Sequence, residues 1–118
     1  TIMANGTVLH RALSAADLLA ERGIEARVLS VASVKPLDED AVVAAARETA
    51  GIVTVEEGLA GGGLGGAVAE VVTRTVPTRV TALGLRDTFA PTGSAGWILD
   101  HFGLDPEGIA RAAADLVR

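Results

Sequence analysis

The chain has 118 residues, a formal net charge of −5 and no cysteine. The acidic balance argues against binding to nucleic acid or to an anionic membrane, which both need a basic surface, and the lack of cysteine excludes disulfides and thiolate metal sites. The sequence has neither an uninterrupted apolar run of about 18 residues nor a signal-peptide pattern, so we expect a soluble, cytoplasmic protein. The length fits one domain over residues 1–118, and because Thr1 opens directly on an apolar run, we expect a fragment of a longer chain.

Short apolar runs alternate with stretches of helical periodicity along the chain. Strands are predicted at 1–5, 25–33, 51–57 and 78–85, helices at 7–22, 38–49, 63–74 and 94–102 and from 105 onward, and a loop at 86–93. The strands are continuously apolar rather than alternating, which is typical of a parallel sheet covered on both faces. We predict an α/β fold, a three-layer α/β/α sandwich with a mainly parallel sheet of about four strands in the order 2-1-3-4.

Residues with known preferences for helix ends mark the predicted boundaries. Thr7, Asp38 and Ser94 stand where N-cap residues are expected, and Pro106 stands at the first position of the last helix. Gly23 follows the first helix at the position that favours a left-handed glycine.

A glycine cluster follows the third predicted strand. Gly61, Gly63 and Gly66 match the spacing G-x-G-x-x-G, and Asp87 follows about twenty residues later, where a ribose-binding acid would lie. The amide groups at a helix N-terminus attract a pyrophosphate. A dinucleotide site is therefore one interpretation of the cluster.

Two features of the same stretch weigh against a nucleotide. Glu56 and Glu57 end the strand beside the expected anion site, and their carboxylates would repel a pyrophosphate. Gly62 and Gly65 exceed what the fingerprint needs. Gly65 and Gly66 are expected inside the helix, where each costs about 1 kcal/mol relative to alanine. We therefore favour close approach of another backbone to this surface over nucleotide binding.

Other polar residues give weaker signals of chemistry. Glu56 and Glu57 are adjacent in a strand and point to opposite faces, so they would not share a proton. His10 is expected at the surface, and His101 in the last turn of a short helix, where a partly cationic imidazole suits the helix dipole. Lys35 fits a solvated position or an interdomain salt bridge better than a phosphate site. We predict no catalytic, cofactor-binding or metal-ligating residue in this chain.

Two aromatic residues lie five positions apart at the fourth helix. Trp97 and Phe102 would most simply anchor this helix to the sheet. Alternatively, they form part of a subunit interface, where buried aromatic side chains often dominate the binding energy.

Three stretches, in this order, resemble the C-terminal domain of transketolase-type enzymes. They are VKPLDEDAVVAAARET (34–49), GIVTVEEGLAGGGLGGAVAEVV (51–72) and LGLRDTFAPTGSAGWILDHFGLDPEGIARAAADLV (83–117). Related domains end 1-deoxyxylulose-5-phosphate synthases and the β chains of 2-oxoacid dehydrogenases. The third stretch is more similar to transketolase and the deoxyxylulose synthase than to the β chains. Gly58 departs from the family pattern, which often has histidine after the paired acids.

The resemblance implies a thiamine diphosphate and Mg²⁺ enzyme that moves two-carbon ketol units between sugar phosphates. It also implies that other domains or subunits hold the cofactor, and that this domain packs against the pyrimidine-binding domain and helps form a homodimer or heterotetramer. On that basis we expect interface residues at Glu56, Glu57, Gly61, Gly62, Gly63, Gly65 and Trp97. The alternatives are a stand-alone Rossmann-type dinucleotide-binding module and a ligand-free interaction domain.

Overall fold

The computed structural model describes residues 1–86, 88 and 92–118. Its strands are β1 (Ile2–Ala4), β2 (Val28–Ser30), β3 (Ile52–Leu59) and β4 (Val80–Leu85). Its helices are α1 (Leu9–Glu21), α2 (Glu39–Glu48), α3 (Leu64–Arg74), α4 (Ala95–His101) and α5 (Pro106–Leu116). Asp87, Phe89, Ala90 and Pro91 of the predicted loop lie outside the described residues. Within the described part of the chain, no helix is both long and apolar enough to cross a membrane.

The four strands form one sheet in the order β2-β1-β3-β4, and each neighbouring pair is parallel. Ile2 of β1 is level with Val28 on one side and with Val53 on the other, and Ile52 is level with Val80. The predicted strand order is confirmed. Strand β2 is shorter than its apolar run suggested and forms one edge of the sheet.

Alternate residues of each strand point to opposite sides of the sheet, so the sheet has a core on each face. Two helices cover each of these faces. Helices α1 and α5 cover one face, and α2 and α3 cover the other. The first core is built around Ile2, Ala4, Val53, Val55, Leu19 and Ile109, and the second around Met3, Ile52, Val42, Leu64, Val68 and Val72. The predicted three-layer α/β/α sandwich is therefore confirmed.

Most of the predicted helix ends are confirmed in the structure. The Asp38 carboxylate accepts a hydrogen bond from the Ala41 amide at 3.1 Å, and the Ser94 hydroxyl accepts one from the Trp97 amide at 3.2 Å. Gly23 follows α1 with φ of 80°, a left-handed conformation that favours glycine. Local sequence chemistry thus sets these three boundaries.

The predicted N-cap at Thr7 is wrong. A 3₁₀ turn over Gly6–Val8 precedes α1, and the N-cap residue of α1 is Val8, which makes no side-chain capping bond. The Thr7 hydroxyl instead donates to the Glu57 carboxylate at the end of β3. A tertiary partner has replaced the local one.

Candidate functional site

The predicted site residues of β3 and the glycine cluster gather at the carboxyl ends of the strands. The chain passes from β1 to α1 on one face of the sheet and from β3 to α3 on the other. The carboxyl ends of β1 and β3 therefore form the topological switch point, which is where open α/β sheets usually bind ligands. Glu56 and Glu57 lie in β3, and residues 60–63 join β3 to α3.

Glu56 occupies the N-terminus of α3. Its side chain is 7% exposed, and its Oε1 accepts a hydrogen bond of 2.8 Å from the amide of Leu64, the first residue of the helix. A carboxylate at this position satisfies a free amide and interacts favourably with the positive end of the helix dipole. The group that would repel a phosphate is thus already bound where the phosphate would lie. Glu56 is therefore the acid that caps the glycine-rich turn.

Gly63 and Gly65 allow close contacts within the chain. A Cβ at Gly63 would lie 2.7 Å from Cδ of Glu56, which leaves no room for any other residue beside the carboxylate. A Cβ at Gly65 would collide with Ala82 Cβ and lie 2.9 Å from Thr54 Oγ1. Gly63 therefore makes space for the buried acid, and Gly65 lets α3 approach the sheet.

Gly84 is a third close contact, which the sequence reasoning missed. A Cβ on Gly84 would lie 2.8 Å from the Gly58 carbonyl oxygen and 3.0 Å from Ala60 Cα. The pairing of β3 with β4 is irregular between Val55 and Leu59, and the Ala60 amide donates to the Leu85 carbonyl at 2.9 Å. A glycine inside an apolar strand is a known signal of close backbone approach, so Gly84 could have been found from the sequence.

Glu57 points to the opposite face from Glu56, as the strand periodicity predicts. It is exposed and accepts the hydrogen bond from Thr7, which lies in the turn after β1. This bond joins the β1 and β3 ends across the switch point. The two acids therefore have separate partners and do not form an acid–base pair.

The seven predicted interface residues are not equivalent in the structure. Glu56, Gly63 and Gly65 have contacts inside the chain that account for their identity. The exposed members of the set are Glu57, Gly61, Gly62 and Trp97. The interface role of all seven stays a prediction.

The two aromatic residues near α4 differ in exposure. Phe102 is half-buried against the α1–α5 core, and the Arg86 guanidinium lies 5.3 Å from its ring centroid. Trp97 is 48% exposed and stacks on His101, with ring centroids 5.1 Å apart. Phe102 therefore anchors this segment, whereas the anchoring role predicted for Trp97 is wrong.

The polar groups at the switch point do not resemble a catalytic or cofactor site. Over the ranges that the structure describes, no three or more His, Asp or Glu side chains are grouped so that they could hold a metal. His10 is exposed, as predicted, and Asp87, the acid expected to bind ribose, lies outside the described residues. Glu56 therefore occupies the position at the N-terminus of α3 that a bound phosphate would take.

The fold and the closed glycine turn define a parallel α/β/α domain without a ligand cradle at α3. Residues 1–109 match the family described as "Transketolase, C-terminal domain". The chain belongs to this family. Neither the family nor the geometry favours the alternative of a Rossmann-type dinucleotide module.

Individual relatives are similar over almost the whole chain. It is 42% identical over 118 residues to a subunit of apulose-4-phosphate transketolase from Phocaeicola vulgatus, covering all of this chain and 38% of that protein. It is 41% identical over 120 residues to "1-deoxy-D-xylulose-5-phosphate synthase" of Anaeromyxobacter sp., covering 98% of this chain and 19% of that protein. A solved structure described as "Split gene transketolase, inactive beta4 tetramer" has a TM-score of 0.90 and 38% identity, and the match covers 98% of this chain and 37% of that one. The chain thus spans well under half the length of these proteins.

Proposed function

We propose that this chain is the C-terminal assembly domain of a transketolase-type enzyme that transfers two-carbon ketol units between sugar phosphates. In that enzyme, thiamine diphosphate and Mg²⁺ are bound by other domains or subunits. This domain holds the pyrimidine-binding part and further copies in register, giving a homodimer or a heterotetramer. Catalysis then depends on this chain through assembly rather than through a residue that touches the substrate.

The observation that carries the proposal is the closed N-terminus of α3. The hydrogen bond from the Leu64 amide to the Glu56 carboxylate, with Gly63 making room for it, turns a phosphate-binding fingerprint into an internal contact. In a family of cofactor-dependent transferases, this geometry supports a domain that does not bind the diphosphate itself. The relatives named as transketolase and deoxyxylulose phosphate synthase support the reaction class.

The partner proposal has separate support. Relatives described as a transketolase subunit and as a split-gene transketolase indicate that enzymes of this type are built from several chains. On this chain, the exposed members of the predicted interface set, together with Leu59, which is 51% exposed at the end of β3, offer surface for such contacts.

Titration calorimetry on the 118-residue chain tests the cofactor part of the proposal. We expect no saturable binding of thiamine diphosphate with Mg²⁺, nor of NADH. The informative variant is Gly61→Val, which changes the first glycine of the fingerprint. A Cβ at Gly61 meets nothing within 4 Å, so we expect this variant to keep the fold. Saturable NADH binding that this variant abolishes would establish the dinucleotide alternative instead.

The assembly part is tested by adding the cofactor-binding part of the same enzyme. Light scattering after size-exclusion chromatography should show a complex, and ketol transfer should appear only in the mixture. Full ketol-transfer activity without this chain would contradict the proposal.

A further inference from the structure

Strand β4 forms the edge of the sheet opposite to β2, and its one neighbour in the sheet is β3. The Ile52 amide donates to the Arg79 carbonyl oxygen at 3.0 Å, and the Ala60 amide donates to the Leu85 carbonyl oxygen at 2.9 Å. Backbone groups of successive strand residues point alternately to the two sides, so every second residue counted from Arg79 faces β3. The three residues of β4 whose backbone groups point away from β3 are Val80, Ala82 and Gly84.

The outer side of β4 is open within the described ranges of the chain. Ala82 is exposed, and Val80 is half-buried. No hydrogen bond to another described residue uses the amide or carbonyl group of Val80, Ala82 or Gly84. A row of free backbone groups along a strand is a template on which an extended segment of another chain can pair.

The strand lacks the features that usually protect an edge. Proteins keep edge strands short, or place proline or a charged residue in them. Strand β2, at the other edge, has three residues. Strand β4 has six residues, VTALGL, without proline or charge, and its Leu83 and Leu85 side chains pack in the α1–α5 core. The outer side of β4 is therefore a well-placed strand edge that is ready to pair.

Arginines lie at both ends of β4, although the chain is acidic overall. Arg79 directly precedes the strand and Arg86 directly follows it, and both are exposed. From position 71 to position 86 the sequence has the basic residues Arg74, Arg79 and Arg86 and no acidic residue, while the net charge of the chain is −5. Arg74 is paired with Glu39, whereas neither Arg79 nor Arg86 forms an ion pair with any described residue.

These two charges decide between a second copy of β4 and an acidic segment. If two copies of β4 paired along their whole length about a two-fold axis at Ala82, Arg79 of one copy would lie opposite Leu85 and next to Arg86 of the other. Like charges would then meet at both ends of the contact, which destabilises the pairing. An extended segment with a carboxylate near each end would instead meet a cation at each end.

We propose that the outer side of β4 binds an extended acidic segment of the cofactor-binding part of the enzyme, which joins the four-stranded sheet as a further strand. The backbone groups of Val80, Ala82 and Gly84 bond to the backbone of that segment. Arg79 and Arg86, about 23 Å apart along an extended chain, pair with its carboxylates. The proposal rests on the assembly role proposed above and assigns that role a surface and a partner chemistry.

Amide hydrogen exchange followed by NMR tests the backbone part of this contact. In the chain alone, we expect the amides of Val80 and Ala82 to exchange at least about tenfold faster than those of Thr81 and Leu83, which are bonded to β3. In the complex with the cofactor-binding part, exchange at Val80 and Ala82 should slow by about tenfold or more.

Variants of β4 test the contact by calorimetric titration with the cofactor-binding part. Ala82→Pro removes an outward amide from an edge strand, where proline is tolerated, and should raise the dissociation constant by about tenfold or more. Ala82→Ser keeps the amide at the same position and should bind like wild type. Arg79→Glu should also raise the dissociation constant by about tenfold, whereas Arg47→Glu makes the same charge change at an exposed position of α2 and should leave binding unchanged.

A complex in which Val80 and Ala82 exchange as fast as in the free chain would overturn the inference and leave the proposed function intact. Wild-type binding by Arg79→Glu would overturn it too, and this result does not depend on how well Ala82→Pro folds. Protection of the two amides that appears when the chain alone is concentrated would identify a second copy as the occupant and refute the acidic segment. A chain that does not bind the cofactor-binding part at all would instead overturn the proposed function.

Discussion

Adjacent glycines in the first turn of α3 should respond to the same substitution with opposite signs. At Gly65, a new Cβ collides with Ala82 Cβ and lies 2.9 Å from Thr54 Oγ1. Neither neighbour is the end of a flexible side chain, so the first turn of α3 would have to move away from the sheet. At Gly66, a new Cβ enters open space.

The magnitudes follow from two opposing terms. Replacing glycine by alanine inside a helix gains about 1 kcal/mol in both variants. At Gly65 the overpacking costs roughly 2–3 kcal/mol, so Gly65→Ala should lower the free energy of unfolding by about 1–2 kcal/mol. At Gly66 nothing opposes the gain, so Gly66→Ala should raise it by about 0.5–1 kcal/mol.

Urea unfolding followed by circular dichroism measures both changes, and thermal melting should give shifts of opposite sign of a few degrees, on the order of 4 °C per kcal/mol. The protein concentration in these experiments should be low enough to exclude self-association, which would add to the apparent stability. If Gly65→Ala stabilises the chain as much as Gly66→Ala does, the close approach of α3 to the sheet is refuted.

Two further predictions concern polar contacts. Glu56→Ala leaves the Leu64 amide without its partner in a buried place and should cost about 1–3 kcal/mol of unfolding free energy, whereas Glu57→Ala, at an exposed position, should change it by less than about 0.5 kcal/mol. Equal urea midpoints for these two variants would contradict the assignment of the cap to Glu56. Asp38→Ala removes the bond to the Ala41 amide and should cost about 1 kcal/mol, while Asp38→Asn should keep most of the stability. An unchanged midpoint in Asp38→Ala would show that this cap does not stabilise α2.

The sequence predicted most of the fold because its signals are local. Asp38, Ser94 and Gly23 act on the amides or dihedral angles of their own neighbourhood. The apolar runs mark the strands, and their alternation with helices favours a parallel sheet covered on both faces. Thr7 was assigned wrongly because its partner, Glu57, is fifty residues away in the chain. Sequence spacing carries no information about such a contact.

The candidate site was predicted less completely, because it too depends on contacts between residues that are far apart in the chain. The sequence does not distinguish the glycines of the cluster from one another. Only the fold shows that Gly63 faces a carboxylate and Gly65 faces the sheet, whereas Gly61 and Gly66 face open space. The sequence predicted close approach of another backbone to this surface, whereas the contacts seen at Gly63 and Gly65 are with side-chain atoms of the same chain. The exposure of Trp97 also depended on how a short helix is oriented, which its own residues do not specify.

The switch point offers a final argument about the role of this domain. In open α/β sheets the connections that follow the two central strands lead to opposite faces, and the resulting crevice is the usual ligand site. Here the Thr7–Glu57 bond joins the two ends on one face, and the Glu56–Leu64 bond closes the helix N-terminus on the other. Both hydrogen bonds lie within the chain, so the polar groups at these two connections are already paired. This arrangement supports the proposal that the carboxyl edge of the sheet contacts a neighbouring domain rather than an exchanging ligand.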